Sequence, residues 1–302
     1  MADSLEAVSS NVEDLVWHYT TSAGLLGIIN DGVIWASCIN YLNDANENLV
    51  VKQMLRKSIE KHRNSPELGS RFNRTRADLQ ALGKSTHGLT LEKYHRVLQD
   101  IVNSASWSDS EDNIFVTCFS GKRDSLSQWR AYTAAGGSHA LAFEKRDLNK
   151  LYAFPAAKEG HDFIRRRFGQ VEYYSKERHD IVFEEVANTI IVQTVVDISG
   201  LDQIVKLFSS ESTFFKDSAF EEEHEWRLVC SGNIDYIGVR FRPARSHLVP
   251  YITVPLEDVP IKEIIVGPGP SRDLDERALR NLIDARHYDF RVTRSDVPFR
   301  NW

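Results

Sequence analysis

The apolar positions of the first forty residues change periodicity twice. Residues 15–19 combine large side chains at the short spacing of a strand. Helical spacing follows at Leu25, Leu26, Ile28 and Ile29. Ser22 can cap this helix, and Gly32 can end it in a left-handed turn. Residues 33–37 return to a strand pattern, so the sequence predicts a compact strand–helix–strand unit.

Further elements follow, with the strands concentrated in the second half. Helical spacing predicts helices over 46–62, 91–101, 125–134, parts of 181–215 and 274–285, the last with a capping box of Asp273 and Glu276. Strand patterns fall at 113–119, 138–143, 169–174, 225–231, 237–241, 247–254 and 262–266. This order lacks βαβ alternation and predicts an α+β fold. We expect a single domain over 1–302, with its core at about 15–285 and a polar, Arg-rich mobile or inserted region at 64–88.

Composition favours a globular protein. Hydrophobic residues make up 42% and charged residues 26% of the 302 positions, which disfavours disorder and coiled coil. The polar start MADSLEAVSS lacks the apolar run of a signal peptide, and no later run approaches a membrane span. The sequence therefore predicts a cytoplasmic protein without a membrane partner. The odd set of three cysteines is typical of buried thiols, and no metal-ligand spacing accompanies it.

A net charge of −6 argues against attraction of nucleic acid by the whole surface, although a local basic site stays open. Three arginine clusters occur, at Arg71, Arg74 and Arg76, at Arg165, Arg166 and Arg167, and at Arg240, Arg242 and Arg245. Each is most simply a solvated face.

Two polar stretches near the start could carry chemistry. In Trp17-His18-Tyr19-Thr20, a histidine at a strand end stands beside small hydroxyl residues and could bind a ribose, or could be a core histidine. The second stretch is Asn40-Tyr41-Leu42-Asn43-Asp44 with Glu47. Asp44 there is explained by helix capping alone, whereas Asn43 and Tyr41 are not.

Two later stretches complete the candidate chemistry. Ser120 ends a strand. Trp129 and Tyr132 lie three residues apart and so share one helix face. They could stack on a flat ligand ring, or they could belong to the core. Arg130 points elsewhere and could reach a phosphate. In Glu221-Glu222-Glu223-His224-Glu225-Trp226-Arg227, a continuous strand would put three carboxylates on one face. Such a face is costly unless a cation, a substrate or water relieves it.

Together these stretches resemble a family of uncharacterised bacterial proteins that carry an HYT…YLND…SQWRAY…EWR signature, over Trp17 to about Pro270. That family in turn resembles a divergent branch of the ADP-ribosyltransferase superfamily, alongside DarT toxins and the His-Tyr-Glu enzymes. The resemblance implies a split β-sheet core with flanking helices. It also implies NAD as substrate, transfer of ADP-ribose to an unknown acceptor, and a role as a toxin or phage-defence effector.

The resemblance also implies roles for individual residues. His18 would hold the adenosine ribose of NAD, with Tyr19 and Thr20 beside it, and Glu225 would be the catalytic acid with Glu223 as its auxiliary. Tyr132 or Trp129 would stack on nicotinamide. Ser120, Asn43 and Arg130 would complete the NAD site. Where the superfamily has a tyrosine on its middle strand, this strand ends in Phe119 and Ser120.

Two other functions stay open at this level. A metal-dependent nuclease could use Asp44, Glu47, Glu223 and Glu225 as ligands for a divalent cation. It would leave His18, Tyr19 and Trp129 without a role. A non-catalytic nucleotide sensor could bind its ligand in the same place, a cleft of the split sheet. The Rossmann fingerprint is absent, because Gly267-Pro268-Gly269-Pro270 is not GxGxxG.

Overall fold

A computed structural model describes residues 12–42, 66–83, 90, 92, 96, 114–132, 137–151, 165–174, 212–231, 238–244, 246–256 and 259–298. Within these residues the chain is a mixed α+β protein, as the sequence predicts. The strands are β1 Leu15–Thr21, β2 Val33–Cys38, β3 Ile114–Ser120, β4 Ser138–Glu144, β5 Arg165–Gln170, β6 Glu172–Tyr174, β7 Phe215–Asp217, β8 Glu225–Ser231, β9 Arg240–Pro243, β10 Leu248–Pro255, β11 Glu263–Val266 and β12 Arg291–Arg294. The α-helices are α1 Ser22–Asp31, α2 Pro66–Ala81, α3 Leu126–Tyr132, α4 Lys145–Lys150 and α5 Arg272–Arg286.

Ten of the strands form one sheet, which branches at β3. Its main path runs β12-β11-β4-β1-β3-β2-β10-β9, while β8 also pairs with β3, and β5 pairs with β8. Strand β11 pairs in parallel with β12, whereas the pairs β1–β3, β1–β4, β2–β10, β9–β10, β4–β11 and β5–β8 are antiparallel. The short strands β6 and β7 form a separate parallel pair.

Strand β1 supplies the centre of the core, because alternate side chains of a strand face opposite ways. Its odd-numbered positions pack with α3, β4 and β11 in one buried cluster, whose members are Leu15, Trp17, Tyr19, Trp129, Ala140, Ala142 and Ile265. Trp17 and Trp129 are fully buried. Burying two indole rings removes a large apolar area from water, so this cluster stabilises the middle of the sheet.

Helix α1 follows β1 as the sequence predicts, but its cap differs by one residue. Thr21 is the N-cap, and its Oγ1 accepts a hydrogen bond from the backbone N–H of Gly24 at 3.2 Å. Ser22 instead donates to the carbonyl of Gly137 through its hydroxyl. Gly32 ends the helix with a left-handed φ of 63°. Strand β1 reaches two residues beyond the predicted end at Tyr19, and the helix follows it directly.

The segment expected to be mobile or inserted contains a helix. Helix α2 occupies Pro66–Ala81, and Phe72 on it is buried. Pro66 suits the first helical position because its missing N–H would be unpaired there in any case. Gly83 follows in a left-handed conformation, φ 71°. Low hydrophobicity concealed a sequence made largely of good helix formers.

Several boundaries predicted from the pattern also change. The capping box of α5 is wrong: its N-cap is Ser271, without a side-chain bond, and Glu276 pairs with Arg280 instead. The strand expected over 169–174 is two strands, with Arg165, Arg166 and Arg167 inside the first. Strands β7 and β12 and helix α4 were not predicted. The helix expected over 46–62 lies outside the described residues.

A buried carboxylate ties the C-terminal strand to the sheet. Glu263 on β11 is 2% exposed and accepts hydrogen bonds from Arg123, Arg291 and Thr293. Burial raises the pKa of Glu263, but these three partners outweigh it and leave the pKa below its usual value. The charge is therefore retained in the interior, where it holds the loop after β3 against β12.

The chain divides into two compact units. One comprises Met1–Ser37, Phe115–Val171 and Phe220–Trp302, and the other comprises Cys38–Ile114 and Glu172–Ala219. The single-domain expectation stays a prediction. Among the described residues, no helix is long and apolar enough to cross a bilayer.

We expect Gly267→Ala to destabilise the sheet, because a Cβ there would lie 2.8 Å from the carbonyl oxygen of Ser138 and 2.9 Å from the Trp129 ring, with the Ser138 hydroxyl closer still. Overpacking of this kind costs about 1–3 kcal/mol. Gly269→Ala is the matched control, since nothing lies within 4 Å of its Cβ position. Chemical denaturation of both variants tests the expectation, which equal free energies of unfolding would contradict.

Candidate functional site

Two of the sequence motifs meet at the end of β3. Ser120, the last residue of β3, is the cross-strand partner of Trp17 on β1. Its hydroxyl donates to the carbonyl of Glu223 at 2.7 Å and accepts from the backbone N–H of Lys122. The N–H of Gly121 donates to the carbonyl of His224 at 2.7 Å. The HYT stretch and the acidic stretch are therefore joined through one strand end.

The acidic stretch is not a continuous strand. Ser218–Glu223 forms a 3₁₀ turn, His224 adopts a left-handed φ of 45°, and β8 begins only at Glu225. The strand predicted over 225–231 is confirmed, and the row of three carboxylates that a continuous strand would give does not form. Three like charges repel, and the turn separates Glu221 and Glu223 from Glu225. Glu221 is exposed, and Glu223 is partly exposed.

Glu225 and Arg227 form a buried, two-pronged ion pair. Arg227 Nε donates to Glu225 Oε1 at 2.8 Å, and Nη2 donates to Oε2 at 2.9 Å. Glu225 is 5% exposed and Arg227 is 2% exposed. The spacing i, i+2 on β8 puts both side chains on one face. Such fork-like bonding fixes the orientation of the carboxylate, and losing one partner would remove this pairing from a buried charge.

His18 is held in one orientation by its neighbouring strand. Its Nδ1 lies 3.0 Å from the carbonyl oxygen of Cys118 on β3. A carbonyl only accepts, so Nδ1 carries the hydrogen and Nε2 presents a lone pair. Burial lowers the pKa of His18, and the hydrogen bond to Cys118 offsets this only in part. The ring is therefore a neutral acceptor at physiological pH.

A row of aromatic rings runs from His18 to β8. The His18 and Phe119 ring centroids are 5.6 Å apart, those of Phe119 and Phe168 are 5.8 Å apart, and those of Phe168 and Trp226 are 5.4 Å apart. Trp226 thus lies on the same side of the sheet as His18. Its neighbour Glu225 points to the opposite side of β8.

Tyr19 and Trp129 have structural roles. The Tyr19 hydroxyl lies 2.9 and 3.1 Å from the carbonyl oxygens of Lys122 and Arg123, and it accepts from the N–H of Ser125. Burial raises the pKa of Tyr19 far above its usual value. Trp129 packs edge-on against Tyr19 and donates its Nε1–H to Asp124. Trp129 therefore takes the core alternative.

The remaining predicted site residues are spread more widely. Thr20 is partly exposed, and its Oγ1 occupies the space that a side chain at residue 24 would need. Arg130 is exposed on α3, and Tyr132 ends that helix. Asn43, Asp44 and Glu47 lie outside the described residues. Among the residues that the structure does describe, no group of three His, Cys, Asp or Glu side chains could hold a metal ion.

Sequence reasoning missed the residues that organise the site. Arg227 is the partner of Glu225, and the EWR spacing itself carried that signal, since residues i and i+2 share a strand face. Phe168 bridges Phe119 and Trp226 from a strand that the pattern placed too late. Lys145 sits with its Nζ 4.5 Å from the centroid of the Trp226 ring, a cation–π contact that no sequence spacing reveals.

Comparison with known proteins gives one match. Residues 128–228 match a family described as "Protein of unknown function (DUF2971)". The matched segment begins at Gln128 of the SQWRAY stretch and ends at Leu228, just after EWR, whereas the HYT stretch lies outside it. No curated protein and no solved structure is significantly similar to the chain.

We expect Trp129→Ala to lower the free energy of unfolding by about 3–5 kcal/mol, because a fully buried indole leaves a large cavity. Trp129→Phe keeps a ring in place and loses mainly the bond to Asp124, so its loss should be smaller. Urea denaturation of the three proteins measures both effects. A Trp129→Ala variant as stable as wild type would return this ring to the ligand-stacking alternative.

Proposed function

We propose that the chain is an ADP-ribosyltransferase-like enzyme that cleaves the nicotinamide–ribose bond of NAD and transfers ADP-ribose to an acceptor. The observation that carries the proposal is the meeting of the HYT and EWR stretches at the end of β3, through Ser120 and Gly121. Two motifs about two hundred residues apart are brought to one strand end, as a shared site requires.

The state of His18 supports a ribose contact. A neutral ring with Nδ1 bonded to Cys118 offers Nε2 as an acceptor, and a ribose hydroxyl is a donor. A protonated histidine would have no lone pair to offer. The resemblance assigns His18 to the adenosine ribose, and this hydrogen-bonding pattern suits that partner.

Glu225 supports the chemical step. Cleaving the nicotinamide–ribose bond develops positive charge on the ribose, and a preorganised anion stabilises that charge. Arg227 fixes the Glu225 carboxylate in one orientation, which limits the reorganisation needed during reaction. In this proposal Glu223, which leads into β8, assists from the adjoining turn. NAD then lies across the end of β3, because Glu225 and His18 point to opposite sides of the sheet.

The same ion pair favours a second candidate, a non-catalytic nucleotide sensor. Both oxygens of Glu225 accept hydrogen bonds from Arg227, so the carboxylate has less capacity left for a substrate hydroxyl. A sensor needs the cleft and His18 but not a free acid. Incubation with NAD labelled in both halves separates the candidates: an enzyme releases nicotinamide, whereas a sensor binds NAD and raises the melting temperature without release.

We expect Glu225→Gln to slow nicotinamide release on the order of a hundredfold or more, because it removes the anion that acts in the transition state. The variant also leaves Arg227 without its charged partner, so its folding is measured in parallel by thermal unfolding. Glu225→Asp keeps the charge and withdraws it by one methylene, and it is the second variant, with its folding measured in the same way. Glu222→Gln, an exposed neighbour, is the matched control. Near-normal release by folded Glu225 variants would count against the assignment.

We expect His18→Ala to weaken NAD binding more than it slows the chemical step, because the proposed contact is remote from the breaking bond. Calorimetric titration gives the affinity, and single-turnover release gives the rate. His247→Ala removes an exposed histidine and is the control. Equal NAD affinity in His18→Ala and wild type would make His18 a core residue.

A further inference from the structure

We propose that the half-exposed face of β2, β10 and β9 binds single-stranded nucleic acid. This surface, called here the arginine–aromatic face, consists of Trp35, Ser37, Arg240, Arg242, Tyr251 and Thr253. It belongs to one compact unit, and it is distinct from the residues assigned above to NAD. The inference goes beyond the proposed function and does not depend on NAD cleavage.

The strand registers place these side chains on one face. Tyr251 on β10 is the cross-strand partner of both Ser37 on β2 and Arg240 on β9. Directly opposed residues share a face of the sheet. Arg242, two residues after Arg240, is on the same face, and its Nη2 lies 3.2 Å from Ser37 Oγ. Arg240 and Arg242, two members of the third arginine cluster, therefore lie on the same face as Tyr251.

The aromatic part of this face is open to solvent. Trp35 is 40% exposed, and its ring centroid is 4.6 Å from that of Tyr251, with the planes tilted by 34°. Tyr251 is 8% exposed, so the Trp35 ring packs on a buried ring. A large ring held rigidly and left half-open can stack on a base, since every base has an aromatic face.

The charge of the face is one-sided. Strands β2, β9 and β10 contain no Asp or Glu. Within the described part of the chain, neither Arg240 nor Arg242 forms an ion pair, whereas Arg123 and Arg227 are paired with buried carboxylates. On a protein of net charge −6, two arginines on strands that carry no acidic residue are complementary to a polyanion. In this complex the two arginines contact the phosphates, and Trp35 stacks on the bases.

Geometry favours a single strand over a duplex. A sheet face that presents rings and arginines stacks unpaired bases while it contacts the backbone, as nucleic-acid-binding sheets do. In a duplex the bases are already stacked on one another and hide their faces. Strand β9 is the last in the order of the described strands, so Arg240 and Arg242 lie toward one edge of that sheet.

The test is fluorescence anisotropy of labelled oligothymidylate and oligouridylate, with a duplex of equal length, on the full chain. We expect binding of the single strands that weakens with salt, because arginines displace counterions from phosphates. The two homopolymers show whether DNA or RNA is preferred. Arg240→Glu should weaken binding and lower the salt slope by about one unit or more. Trp35→Leu keeps apolar cover on Tyr251 but should weaken binding roughly fivefold to a hundredfold.

The matched control is Arg277→Glu, which makes the same charge change at an exposed position of α5. Helix α5 lies beside β11 and β12, at the other end of the strand order. It should bind like wild type. Absence of binding, equal losses in Arg240→Glu and Arg277→Glu, or unchanged affinity in Trp35→Leu would each overturn the proposal. Self-association of Arg240→Glu with unchanged affinity would do so too, because the arginines would then protect an edge strand.

Discussion

The pairing of β3 with three strands is the constraint on which the site depends. A strand has only two edges, so two of its partners β1, β2 and β8 must share one edge, and the sheet branches there. At Ser120 the regular ladder stops, and the carbonyls of Glu223 and His224 take up the hydrogen bonds of Ser120 and Gly121. The left-handed backbone at His224 is the local consequence, since it turns the acidic stretch from the 3₁₀ turn into β8.

Strand alternation then determines what this junction can do. The row of rings keeps His18 and Trp226 on one side of the sheet, and Glu225 faces the other. A ligand that contacts both His18 and Glu225 must therefore pass the strand end instead of lying over one face. The small residues Ser120 and Gly121 occupy that strand end, where the chain turns. A Cβ at Gly121 would come within 3.4 Å of the His224 carbonyl, so this approach is already close.

The sequence predicted the helices and strands better than it predicted which distant residues contact one another. The apolar patterns found β1, β2, β4 and β11, whose side chains are mostly buried, and α1, which buries Leu25 and Ile28. Helix α2 was not predicted because its residues are mostly polar, and the prediction relied on the spacing of apolar residues. At the site, the pattern placed β8 correctly at 225–231, but it could not show that the chain turns at His224 and so separates Glu221 and Glu223 from the strand. The partners Glu225–Arg227 were within reach of the EWR spacing, whereas the contact of His18 with Cys118 joins residues one hundred positions apart.

Arginine shows most clearly why sequence proximity does not fix a role. Arg227 stands alone in the sequence, yet it is almost fully buried, because Glu225 supplies a matching carboxylate two residues away. Arg123 likewise forms an ion pair with the buried Glu263. The clustered Arg240 and Arg242 have no carboxylate on their own or the neighbouring strands. A guanidinium keeps its charge at any physiological pH. Its neutralising partner must come from this chain, from solvent ions or from a bound anion, and on this face the adjoining strands provide none.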